Sequence, residues 1–205
     1  MSTALHVSGK HNLTFIHIPK TAGTSIGEWL LNKVVNDENT KIVNYDGHET
    51  LDMILADNVK NYTIVSVRNP WARIYSLYCY ASKETSPFPN TKLWIDYYHK
   101  TTNKELTFSN FLENLSEIKA RPTWWFTMDR PQTDWIKGGA DLIIKFESLE
   151  EDFKKVREMF DDFTTPLQTH HMYDYPNYRD YYTTETKNLI EKVFEEDIDT
   201  FKYTF

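Results

Sequence analysis

Residues 13–18 form a short apolar run that ends in Pro19-Lys20, and a helix-forming segment takes over within five residues. A hand-over this abrupt fits a strand–turn–helix unit of an α/β protein. The turn, Lys20-Thr-Ala-Gly-Thr-Ser25, carries a lysine, three hydroxyls and a glycine. The first turn of a helix leaves backbone N–H groups pointing outward, with the positive end of the helix dipole behind them. A turn of this composition is therefore a cradle for an anion. It is not a Walker A loop, in which the lysine follows the second glycine. Here Lys20 precedes Gly23. The plain alternative for Gly23, a backbone position that needs positive φ, is compatible with such a cradle.

A second junction repeats the pattern. Residues 62–67, Tyr-Thr-Ile-Val-Ser-Val, are rich in β-branched residues, and Arg68-Asn69-Pro70 follows at once. Pro70 suits the first position of a helix over 70–81, with Ser76 two turns in. An arginine can hold a phosphate through two parallel hydrogen bonds. Two anion sites at the ends of two strands imply a ligand with two separated anionic groups. The remaining pattern predicts strands at 41–45 and 141–146 and helices at 25–35, 49–56, 107–118, 148–160 and 184–201. Ser25…Glu28 and Ser148…Glu151 have capping-box spacing. The alternation predicts one α/β domain over residues 1–205 with a central, mainly parallel sheet. Residues 1–12 are expected to be a flexible N-terminal segment.

The chain has 205 residues, 40% hydrophobic and 26% charged, as in ordinary globular proteins. A net charge of −7 argues against a nucleic-acid surface. One cysteine, Cys79, excludes an internal disulfide and fits a reducing compartment. No apolar run reaches the ~18 residues of a membrane span, and the polar N-terminus is unlike a secretory signal. A cytoplasmic protein without a membrane anchor is expected. His170-His171 near Asp174 lack the further ligands of a metal site.

Ile18-Pro-Lys-Thr-Ala-Gly-Thr-Ser25 and Val67-Arg-Asn-Pro-Trp-Ala-Arg-Ile-Tyr-Ser76 together resemble the two donor-binding segments of carbohydrate sulfotransferases, of the heparan sulfate 2-O-sulfotransferase-like type. Gln132-Thr-Asp-Trp-Ile136, Ile144-Lys-Phe-Glu-Ser-Leu149 and the stretch from Tyr181 to Tyr203 resemble family segments in the same order. The resemblance implies a three-layer, P-loop-like α/β fold. It implies sulfuryl transfer from 3′-phosphoadenosine 5′-phosphosulfate (PAPS) to an acceptor hydroxyl, with adenosine 3′,5′-bisphosphate as product and no metal required. Lys20 would meet the 5′-phosphosulfate at its bridging oxygen. Thr21, Ala22, Gly23, Thr24 and Ser25 would offer backbone and hydroxyl donors to the 5′-phosphate. Arg68 and Ser76 would hold the 3′-phosphate, and the 175–182 segment with Arg179 would close over the adenosine.

The attacking hydroxyl must lose a proton, a task that suits a neutral histidine. His48, in Asp46-Gly-His-Glu-Thr50 after the second predicted strand, is the favoured base. His17 and Glu49 are rivals, and His17 also reads as a core residue. Trp94, Tyr97, Tyr98, Trp124 and Trp125 are candidates to stack on sugar rings. The acceptor is expected to be a carbohydrate or related hydroxyl compound, of low charge given the acidic chain, and the source bacterial or viral. Two other classes remain open from sequence: a P-loop kinase or nucleotide hydrolase, and a non-catalytic nucleotide-binding scaffold.

Overall fold

The computed structural model describes residues 4–35, 38–45, 49–56, 60–82, 99–100, 102–115, 130–168 and 176–205. Its strands are β1 (Ala4–Ser8), β2 (Leu13–Ile16), β3 (Lys41–Tyr45), β4 (Tyr62–Val67) and β5 (Leu142–Lys145). Its helices are α1 (Gly23–Val34), α2 (Leu51–Leu55), α3 (Pro70–Ala81), α4 (Phe108–Leu115), α5 (Leu149–Met159), α6 (Thr184–Val193) and α7 (Glu195–Phe201). The chain divides into two compact units, residues 1–68 with 132–173 and residues 69–131 with 174–205.

The first unit is a five-stranded sheet in the order β3-β1-β2-β4-β5, flanked by helices. β2, β4 and β5 are parallel, and β1 is antiparallel to both its neighbours. Four of the five strands therefore run the same way, as the α/β reading expects. β4 is buried from Thr63 to Val67, which explains why its sequence is rich in β-branched residues and does not alternate apolar with charged positions. On one face Leu5, Val7, Leu13, Phe15, Ile64, Leu142 and Ile144 pack against Ile26, Trp29 and Leu30 of α1 and Phe153 and Val156 of α5. The Trp29 and Phe153 rings meet edge to face at 5.0 Å. Lys33 and Arg157 reach the segment after α5: Lys33 pairs with Asp162, and Arg157 donates to the Thr165 carbonyl.

The N-terminal expectation is corrected. Residues 4–8 are not a loose leader but strand β1, an interior strand of the sheet between β3 and β2. Gly9 makes the hairpin possible with φ +130, and a Cβ there would lie 2.4 Å from the Asn39 carbonyl oxygen. Five residues interrupted by His6 give too little periodicity to announce a buried strand. His6 is 5% exposed and pairs through Nδ1 with Thr14 Oγ1 at 2.9 Å.

Burial and the nearby Lys41 charge push the His6 pKa below its ordinary 6.5. The folded state thus favours neutral His6, whereas the unfolded chain takes up the proton near pH 6.5. Stability is full above that pH and falls as the pH drops through it toward the folded-state value. Urea midpoints at pH 7.5 and 5.5 are expected to differ more for the wild type than for His6→Gln. An equal drop in both would remove His6 as the cause.

In the second unit, α3 begins where Pro70 predicts. Asn69 Oδ1 accepts from the amides of Trp71 (3.1 Å) and Ala72 (3.4 Å), and Asn69 Nδ2 donates to the Thr204 carbonyl at 2.8 Å. Trp71, Ile74 and Leu77 pack with Phe111 and Leu112 of α4 and with Ile190 and Phe194. The Tyr182 hydroxyl donates to the Trp71 carbonyl at 2.9 Å, and its burial pushes the phenol pKa up. The long terminal helix expected over 184–201 is two helices, broken at Phe194, whose φ is −115 and whose ring is fully buried. Periodicity survives such a break because both halves keep their apolar face inward. α6 opens on a Thr183–Thr186 capping box. α1 starts at Gly23, so Ser25 lies inside its first turn and does not cap it. Ser148 is the N-cap of α5, but its hydroxyl donates to Asp152 Oδ2 (2.8 Å) instead of closing a capping box. Among the described residues, no helix is long and apolar enough to cross a membrane.

Candidate functional site

β2 and β4 are adjacent and parallel, with Ile16 opposite Val65, so the chain leaves both at the same edge of the sheet. Open parallel sheets offer ligand crevices at this edge. The loop after β2 reaches Lys20, and Arg68 follows β4 directly. Both belong to the first unit. The Arg68 guanidinium donates from Nη1 to the Lys20 carbonyl at 3.3 Å, bringing the two cation-bearing junctions together.

The Lys20 loop is held in an uncommon shape. Lys20 (φ 69) and Ala22 (φ 70) both occupy the left-handed region. Each costs on the order of 1 kcal/mol for a residue with a Cβ, so the surroundings must hold the loop there. Thr21, between them, is the fastener. It is fully buried, its Oγ1 donates to the Ile18 carbonyl at 2.8 Å, and it pairs with Ser66 Oγ of β4 at 2.8 Å. The Thr21 hydroxyl is thus committed inside the protein, and any contact it makes with an anion falls to its backbone.

Ala22 is the N-cap of α1 and has no side-chain oxygen to cap the helix. No side chain therefore competes from that position for the amides of the first turn, as an anion-binding helix start requires. Thr24 is partly exposed in that turn, and Ser25 is buried at 7% exposure. Gly23 is helical, not left-handed, so the positive-φ expectation is corrected. Its lack of a side chain answers a different need: a Cβ there would lie 2.1 Å from His17 Cδ2. His17 is 4% exposed, and this contact gives it a packing role beneath the helix start.

Arg68 is held through both its backbone and its side chain. Gln132, fully buried, accepts the Arg68 amide at Oε1 (2.8 Å) and donates from Nε2 to the Arg68 carbonyl (2.9 Å). The guanidinium carbon lies 4.0 Å from the centroid of the Phe146 ring. Sequence reasoning assigned no role to Gln132, Phe146 or Ser66. The first two lie in segments singled out for resemblance, which was the available signal. The pairing of Ser66 with Thr21 spans 45 positions and leaves no local mark.

Ser76 and Arg179 belong to the second unit. Ser76 is buried in α3 at 4% exposure. The exposed Arg179 guanidinium lies over the rings of Tyr178 (4.6 Å) and Phe205 (5.7 Å). His48 lies outside the described residues, as do Trp94, Tyr97, Tyr98, Trp124, Trp125, His170, His171, Asp174 and Tyr175. Glu49 is described, and its Oε2 is buried.

A lysine loop, a guanidinium and a helix start without a side-chain cap lie at one sheet edge, an arrangement with the chemistry to hold a polyanion. A family model described as "Sulfotransferase family" matches residues 3–204. No curated protein and no solved structure matches the chain.

Proposed function

The chain belongs to the sulfotransferase family, and from that premise we propose that it moves the sulfuryl group of PAPS to a carbohydrate hydroxyl. The observation that carries this reading is the 3.3 Å bond from Arg68 to the Lys20 carbonyl. It ties the Lys20 loop to the Arg68 junction, which supports a donor bearing two phosphate groups. The fold agrees with the P-loop-like architecture of the family.

PAPS supplies an activated sulfur–oxygen bond. The acceptor oxygen forms a new bond to sulfur while the bond from sulfur to the bridging oxygen breaks in line. The electron pair of that broken bond stays on the departing phosphate. Lys20 balances this charge as it develops, and the first-turn amides of α1 hold the 5′-phosphate. Arg68 holds the 3′-phosphate. His48 takes the proton of the acceptor hydroxyl, an assignment that rests on sequence, as do those of Ser76 to the 3′-phosphate and Arg179 to the adenosine. The negative charge of the chain supports an acceptor of low charge. Efficient turnover of a highly sulfated polysaccharide would overturn that last point.

Calorimetry with adenosine 3′,5′-bisphosphate in the absence of magnesium tests the donor reading. Binding is expected, without competition from ATP. Arg68→Lys keeps the charge but loses the two-pronged grip, and is expected to weaken binding about 10- to 100-fold. Tight magnesium-dependent ATP binding in place of bisphosphate binding would favour a kinase or hydrolase. Bisphosphate binding with no transfer of radiolabelled sulfate to any screened acceptor would favour a binding scaffold.

A further inference from the structure

Phe146 is an exposed large hydrophobic residue, 36% accessible, directly after the last residue of β5. β5 runs parallel to β4 with Lys145 opposite Val67, so the next residues on the two strands are Phe146 and Arg68. This register sets the ring against the guanidinium at 4.0 Å, within cation–π range. The buried Gln132 amide closes on the backbone of the same arginine through two hydrogen bonds, of 2.8 and 2.9 Å. Three contacts thus converge on one residue: its peptide is clamped, its guanidinium lies over the Phe146 ring, and one prong is bonded to the Lys20 carbonyl.

We propose that Phe146 and Gln132 are positioning residues for Arg68, holding its guanidinium in place before the donor binds. Neither needs to touch the donor. Gln132 fixes where the side chain starts, and Phe146 fixes the plane in which it ends. A long flexible side chain loses rotamer freedom when it grips a ligand. Stacking it beforehand moves that loss from binding to folding. The proposal rests on the donor reading only for the identity of the anion, since the geometry around Arg68 exists in the free protein.

Phe146 is the better residue to vary, because removing the buried Gln132 leaves the Arg68 amide and carbonyl without their partners and threatens the fold. The first readout needs no ligand. Relaxation of the Arg68 Nε–H in the free protein is expected to show an ordered side chain in the wild type. Phe146→Leu is expected to loosen it, and Phe146→Trp to restore it. An Arg68 signal equally ordered in Phe146→Leu overturns the proposal.

The second readout is affinity for adenosine 3′,5′-bisphosphate against adenosine 5′-phosphate. Phe146→Leu is expected to weaken the bisphosphate about three- to tenfold, to leave the monophosphate unchanged, and to be rescued by Trp. Equal loss for both ligands would make Phe146 a contact of the nucleoside and also overturn the proposal. If Arg68 loosens in Phe146→Leu while even the wild type ignores the bisphosphate, the donor reading fails and the positioning role stands.

Discussion

Lys20→Ala is expected to slow sulfuryl transfer about 10²–10³-fold, the usual cost of deleting one donor aimed at developing oxygen charge. The loss should fall on kcat more than on KM for PAPS. The ammonium matters most when the bridging oxygen gains charge, and less while the donor is at rest. The fold should survive. Lys20 is only partly buried, and its loop is held by Thr21, which reaches Ile18 and Ser66, and by a bond from Arg68 to the Lys20 backbone carbonyl, which alanine retains. Thermal denaturation and single-turnover rates on the same sample check both halves. A variant that turns over at the wild-type rate would remove Lys20 from the chemistry. A large fall in melting temperature would make it a structural residue.

The second large effect is expected at Gly23. Alanine there would put its Cβ 2.1 Å from His17 Cδ2 and 2.5 Å from His17 Nε2, well inside van der Waals contact. His17 is 4% exposed and has little room to yield. The strain is of the size of an overpacked core, about 1–3 kcal/mol or more, and it falls on the start of α1 where the 5′-phosphate is proposed to sit. Gly23→Ala is therefore expected to lose both stability and bisphosphate affinity. The compensating variant is specific: His17→Ala should recover much of both in the Gly23→Ala background. The double-mutant cycle measures that coupling. Additive losses would show that the glycine serves something other than the histidine contact. Wild-type turnover in the rescued double variant would also exclude His17 as the proton acceptor.

Sequence reading succeeded where local chemistry decides structure. β4 and α3 fall on the expected residues because a β-branched run, an Asn-Pro junction and an amphipathic helix agree at every position. It failed where a partner distant in sequence decides. β1 is a strand because β2 and β3 flank it, and its own five residues carry little pattern. α1 begins two residues before Ser25 because the left-handed Ala22 turns the chain into the helix early. The site divides the same way. Lys20 and Arg68 are visible as cations at strand ends. The histidine beneath Gly23 and the glutamine behind Arg68 appear only when the chain is folded, because each acts on a residue that itself gives the signal.

The Thr21–Ser66 hydrogen bond has a consequence for nucleotide choice. It pins the Lys20 loop to the neighbouring strand two residues before Arg68, at 2.8 Å and out of reach of solvent. The separation between the Lys20 loop and the Arg68 junction is thus a fixed gauge, set by strand spacing before any nucleotide arrives. Under the proposed function, a 5′-triphosphate carries ample charge but has no group at the second mark of that gauge. Rejection of ATP, the most abundant competitor in a cell, would then be written into a hydroxyl pair inside the sheet and not into any contact with the purine.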